Sequence, residues 1–124
     1  MIMIIQIDFT QPLIVNQYFS LLGLLIFTHL LLDYSLQGQF MSDAKNHKKP
    51  IPGVPWFTIL LSHCYIHAFA VYIITGSVAC FIWEILSHML VDYLKNDGYF
   101  SFNNDQLYHI CMKVIYVFYL TFFF

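Results

Sequence analysis

His29 and Asp33 are four residues apart, and so are His63 and His67, His88 and Asp92, and Asp105 and His109. In an α-helix that spacing puts both members of a pair on one face, one turn apart. Glu84 continues the His88–Asp92 stripe by a turn, and Gln37 continues that of His29 and Asp33. Imidazole and carboxylate suit zinc, iron, manganese or nickel, and the lack of thiolate beside them disfavours copper(I). Four-helix bundles hold metal ions in this way, with acids and histidines projecting inward from facing helices. The candidate ligands are His29, Asp33, His63, His67, His88, Asp92, Asp105 and His109. They outnumber the roughly three or four that one catalytic zinc takes. They suit a dinuclear centre, or one ion with an extensive outer shell. A divalent metal, zinc ahead of manganese or iron, would bring its water towards neutral pKa and make hydroxide available for hydrolysis. Glu84, Gln37 and Lys45 are placed for proton transfer or substrate orientation.

The elements that must position these groups are apolar. The 124 residues leave room for one domain and are 60% hydrophobic and 10% charged, where soluble domains run to about 25% charged. That composition predicts an all-α, polytopic membrane protein in contact with the lipid bilayer. Five basic residues, all lysine, exclude the basic face that nucleic acid requires. Cys64, Cys80 and Cys111 sit singly in apolar runs and are expected to be small buried hydrophobes. The N-terminal stretch has neither the basic n-region nor the cleavage site of a signal peptide.

Residues 1–11 are apolar but too short to span, and are expected to form an interfacial arm. Spans are predicted at about 12–37, 56–75, 77–94 and 105–124, a four-helix transmembrane bundle. Pro12 suits a first helical turn, and the prolines at 50, 52 and 55 forbid a helix through the first loop. Gly76-Ser77 predicts a tight turn between the second and third spans, Lys95-Asn96-Asp97-Gly98 ends the third, and Asn104 is a candidate cap for the fourth. Without the Gly76 turn, residues 56–94 would form one helix far longer than a bilayer needs, which would leave three spans. Lys45, Lys48, Lys49 and Lys95 put loops 38–55 and 95–104 on the cytoplasmic side, in a bacterial inner membrane.

Depth then decides between scatter and design. At a rise of about 1.5 Å per residue, His63 and His88 fall roughly 10 Å from their cytoplasmic ends, and His29 and His67 roughly 12–16 Å. Successive helices run in opposite directions, yet every pair lands in the same half of the bilayer. Three other readings fit the same residues. One is a polar network that only holds the helices together. A second is a proton or ion conduit. The third is a non-enzymatic membrane protein of phage type, acting on a host partner. A homodimer is plausible for so small and apolar a chain.

The ordered set His29-x-x-x-Asp33-Tyr34-x-x-Gln37, Lys45, His63, His67, His88-x-x-x-Asp92 and Asp105-Gln106-x-x-His109 resembles domain-of-unknown-function family 3307. These are small multi-span membrane proteins of bacteria and their phages. The resemblance runs from about residue 21 to 109. It implies a multi-span protein with a shared polar site and carries no established activity.

Overall fold

The computed structural model describes residues 15–123, and these are helices and connecting turns throughout. Helix α1 (Val15–Leu30) runs directly into a π-turn over Leu31–Ser35. Then come the short α2 (Gln39–Ala44), α3 (Trp56–Thr75), α4 (Val78–Asn96) and α5 (Phe102–Phe123). The expected arm at 1–11 and the helix start at Pro12 lie outside the described residues. Helix α1 packs on α3 and α5, α4 packs on the same two, and α2 folds back onto α3.

The molecule is apolar outside and polar inside. Phe19, Phe27, Ile73, Leu86 and Phe118 all point outward with more than half their surface exposed. His29, His63, His67, Glu84, His88, Asp92, Asp105, His109 and Lys113 are all buried. A water-soluble domain has the opposite distribution of charge, and an apolar surface of this extent needs an apolar solvent or a partner. Three helical segments are long and apolar enough to cross a membrane, at Val15–Ser35, Trp56–Thr75 and Phe102–Phe123. Helix α4 is not among them, since Glu84, Asp92 and Lys95 lie within it.

The expected turn between α3 and α4 is present. Gly76 closes α3 in the left-handed region (φ 67°), a conformation that costs other residues a steric clash. Ser77 caps α4 by accepting from the Cys80 N–H. At the other end Gly98 (φ 87°) turns the chain towards α5. Helix α5 starts earlier than expected, at Phe102. The Oγ of Ser101 accepts from the Asn104 N–H, so Ser101 fills the capping role expected of Asn104.

Two further expectations change. The first loop contains α2, which folds inward far enough to bury Ala44 and Lys45. Cys111 is exposed, whereas Cys64 and Cys80 are buried. Position 111 is two residues from the inward-facing His109, a rotation of about 200° that carries it to the outer face.

Candidate metal centre

The α1 stripe brings His29 and Asp33 inward, and the π-turn then redirects the chain. Leu36 donates to the Leu31 carbonyl five residues back, which widens the helix and marks functional sites in many proteins. Gln37 consequently leaves the stripe. Its Oε1 accepts from Lys45 Nζ at 2.9 Å instead of facing the imidazoles. Helix α3 contributes His63 and His67, α4 contributes Glu84, His88 and Asp92, and α5 contributes Asp105 and His109. The rings of His67 and His88 lie 4.2 Å apart between centroids, and those of His88 and His109 lie 4.0 Å apart. His29 sits 5.1 Å from the His67 ring.

The three aspartates share one arrangement. Each has one carboxylate oxygen held by an amide or ammonium donor and the other aimed at imidazoles. Asp33 Oδ2 accepts from the Gln106 amide, Asp92 Oδ2 from Lys45, and Asp105 Oδ2 from Lys95 and Gln106. Asp33 Oδ1, Asp92 Oδ1 and Asp105 Oδ1 are buried without a hydrogen-bond partner, as are His67 Nε2 and His109 Nε2. Buried polar atoms rarely remain unpaired, because each costs about 1–3 kcal/mol. Within this set Asp33 Oδ1 and His67 Nε2 lie 3.5 Å apart and Asp92 Oδ1 and His109 Nε2 lie 3.7 Å apart, spacings that a cation could bridge.

The spacing agrees with that chemistry. Asp33 Oδ1 lies 3.2 Å from His63 Nε2 and 3.5 Å from His67 Nε2, and His63 Nε2 lies 3.2 Å from His88 Nε2. Zinc bonds of about 2.0–2.1 Å would place tetrahedral ligand atoms about 3.3 Å apart. Asp33, His63, His67 and His88 thus form one grouping able to hold a metal. A looser trio, His88, Asp92 and His109, adjoins it, with Asp92 Oδ1 3.9 Å from His88 and 3.7 Å from His109. His29, His67, Glu84 and His88 form a further grouping. His88 belongs to all three.

Charge balance points the same way. Lys45 pairs with Asp92, Lys95 with Asp105 and Lys113 with Glu84. Asp33, half-buried with its side chain 5% exposed, has no lysine beside it among the described residues, and its neighbours are amide and imidazole groups. An anion in so dry an interior needs a compensating cation, either a proton on an imidazole or a metal ion.

Of the residues expected to bind metal, Asp105 joins none of these groupings and instead anchors Lys95 and Gln106. His29 donates from Nε2 to Gln106 Oε1 at 3.1 Å. Lys45 is more than a topology signal, because it is buried and bonded to Asp92. Sequence reasoning missed Lys113 and Tyr116, and named Gln106 only within a motif, without a role at the site. Gln106 ties His29 of α1 and Asp33 of the π-turn to Asp105 of α5. Lys113 and Tyr116 both bond Glu84. The signal was available: Lys113 follows His109 by four residues and Asp105 by eight. A lysine in mid-span also requires a partner.

At its loop end the centre is overlaid by the segment after α2. His47 stacks on Tyr93 with ring centroids 4.0 Å apart, and its Nε2 lies 2.8 Å from Asp97 Oδ1. Lys48 Nζ reaches the same oxygen at 2.9 Å. Hydrogen bonds from Lys48 and His47 hold the Asp97 carboxyl below its ordinary range, and the bond to Asp97 raises Lys48. At the opposite end, Leu21, Leu25, Val71, Cys80, Tyr116, Val117 and Leu120 form an apolar layer.

Fold and site together define a class: an all-helical protein with an apolar exterior and a buried cluster of histidines and carboxylates. The chain belongs to the family described as Protein of unknown function (DUF3307), whose model matches residues 21–124. That stretch contains every residue of the cluster. No curated protein and no solved structure matches the chain.

Proposed function

We propose that this protein is a membrane-embedded divalent-metal protein, with the ion held by Asp33, His63, His67 and His88. The observation that carries the reading is the convergence of Asp33 Oδ1, His63 Nε2, His67 Nε2 and His88 Nε2, of which Asp33 Oδ1 and His67 Nε2 are buried without a hydrogen-bond partner. Zinc is the first candidate, with manganese and iron next, because the donors are imidazole nitrogen and carboxylate oxygen. A bound dication would supply Lewis-acid activation of a water molecule. Asp92 and His109, beside His88, would be the acid–base groups of that chemistry. Hydrolysis is therefore the chemistry we assign.

Helix α4 completes a four-span bundle in this reading. Its charged residues face inward or the loop end, while Val78, Ile82, Trp83, Leu86, Leu90 and Tyr93 face outward. Its 19 residues span about 28 Å, close to the hydrocarbon thickness. Loops 38–55 and 95–104 then share one side, which their lysines make cytoplasmic. The apolar layer of Leu21, Leu25, Val71, Val117 and Leu120 beside Tyr116 argues against a conduit, since among the described residues it caps the polar chain.

Elemental analysis of detergent-purified protein tests the proposal. We expect about one equivalent of zinc, manganese or iron, lost in His88→Ala and Asp33→Ala while the helical circular dichroism persists. No metal above background, even after reconstitution, would overturn it.

A further inference from the structure

Glu84 lies farther from the loop end than Asp92 on the same helix, and both of its oxygens have partners. Oε1 accepts from Lys113 Nζ and lies 3.2 Å from His88 Nδ1. Oε2 accepts from the Tyr116 hydroxyl at 2.8 Å. Glu84, His88, Lys113 and Tyr116 are all 1% exposed or less. A carboxylate that is already receiving an ammonium and a phenol proton is an acceptor, so the proton between it and His88 belongs to Nδ1. The other nitrogen of His88, Nε2, then carries a lone pair, and this is the atom 3.2 Å from His63 Nε2 in the tight grouping.

We infer that Glu84 is a positioning residue for the metal centre, holding His88 in the tautomer and ring orientation that presents Nε2 to the ion, with Lys113 and Tyr116 fixing Glu84 in turn. The inference rests on the metal reading and decides between the roles open to Glu84. Direct ligation or proton exchange with substrate would require a free oxygen lone pair directed at the ion or substrate. The Glu84 oxygens serve Lys113, Tyr116 and His88, so of the two roles that the His29–His67–Glu84–His88 grouping leaves it, ligand or support, we assign support. Carboxylates behind metal-bound histidines fix the tautomer in this way, and their loss commonly weakens metal affinity about 10–100-fold. Lys113 supplies the countercharge that a carboxylate needs in a dry interior. Tyr116 closes the assembly against the apolar layer.

The test uses the full chain in detergent micelles with cobalt(II) as the probe. Affinity is read by competition with a chelator, and geometry by the visible ligand-field spectrum. The double variant Glu84→Gln with Lys113→Met removes carboxylate and ammonium together and leaves no unpaired charge. We expect it to bind cobalt about 10–100-fold more weakly than wild type, with a shifted spectrum. Tyr116→Phe keeps the ring and removes one hydrogen bond to Glu84, so it should weaken binding by a smaller factor, about threefold. It serves as the readout if the double variant does not fold. Unchanged affinity and spectrum in a folded double variant, or in Tyr116→Phe where that is the readout, would overturn the positioning role and leave the metal reading intact. Complete loss of binding in a folded double variant would make Glu84 a ligand and also overturn it. A wild-type protein that takes up no cobalt would overturn both.

Discussion

Lys113 and Glu84 show how buried charges constrain single residues in this protein. Each is 1% exposed at its side chain, and neither has water to replace a lost partner. Lys113→Met should therefore cost about 3–5 kcal/mol, the penalty of stranding a buried charge. Adding Glu84→Gln should recover part of that loss, although the second change also removes an acceptor from Tyr116 and His88. Unfolding of the two single variants and the double variant in mixed micelles would measure the coupling. Additive losses would mean that the pair is not a unit. The three aspartates follow a related rule, because a donor on one oxygen leaves the other directed at the imidazoles. Gln106 enforces this on the π-turn and α5 together.

Two elements make testable contributions to positioning. The α3–α4 hairpin brings His63 beside His88, and its tightness depends on Gly76. Nothing lies within 4 Å of where a Cβ would be placed on Gly76, so Gly76→Ala meets only the backbone penalty of positive φ. That should cost about 1–2 kcal/mol of stability and leave metal content unchanged, a pairing that thermal unfolding and elemental analysis would check. The segment following α2 is fastened by Asp97 to Lys48 and His47. The folded-state value of Asp97 is depressed below 3.8. Its contribution is present above that value and lost as pH falls through the lower folded one. The raised Lys48 contributes below 10.5 and loses its part at higher pH. The fastening therefore holds across neutral pH. Asp97→Asn should loosen it at pH 7, seen as faster amide exchange over residues 46–54, and unchanged exchange would count against the fastening.

At the scale of the molecule, the polar column among the described residues ends against an apolar layer. It runs from Lys45 and Lys95 through the imidazoles to Glu84, Lys113 and Tyr116. There it meets the layer formed by Leu21, Leu25, Val71, Val117 and Leu120. Liposomes holding the protein should show no proton flux above empty vesicles, with or without chelator. Flux that survives chelation would favour the conduit. Topology is open to a separate check, in which cysteines introduced at Lys48 and at Asn103 should label from the same side of the membrane with an impermeant reagent. Opposite labelling would remove α4 as a span.

The i, i+4 pairs determined much of this from the sequence. A histidine or aspartate in an apolar helix has few places to go, so its spacing shows which face turns inward. The run of residues between turns shows its depth. The family resemblance and the hairpin at Gly76 were legible for equally local reasons, in an ordered set of motifs and a glycine between two apolar runs. Pairing across helices was not legible. Whether Asp33 meets a lysine or a histidine depends on how α1 packs against α3 and α5, and the π-turn that diverts Gln37 to Lys45 has no clear signature in its residues. The same holds for the difference between Asp105, which anchors Lys95, and Asp33, which faces His63 and His67. Helical periodicity fixes the face a side chain occupies, while its partner comes from another part of the chain, and only tertiary packing brings the two within a few ångströms.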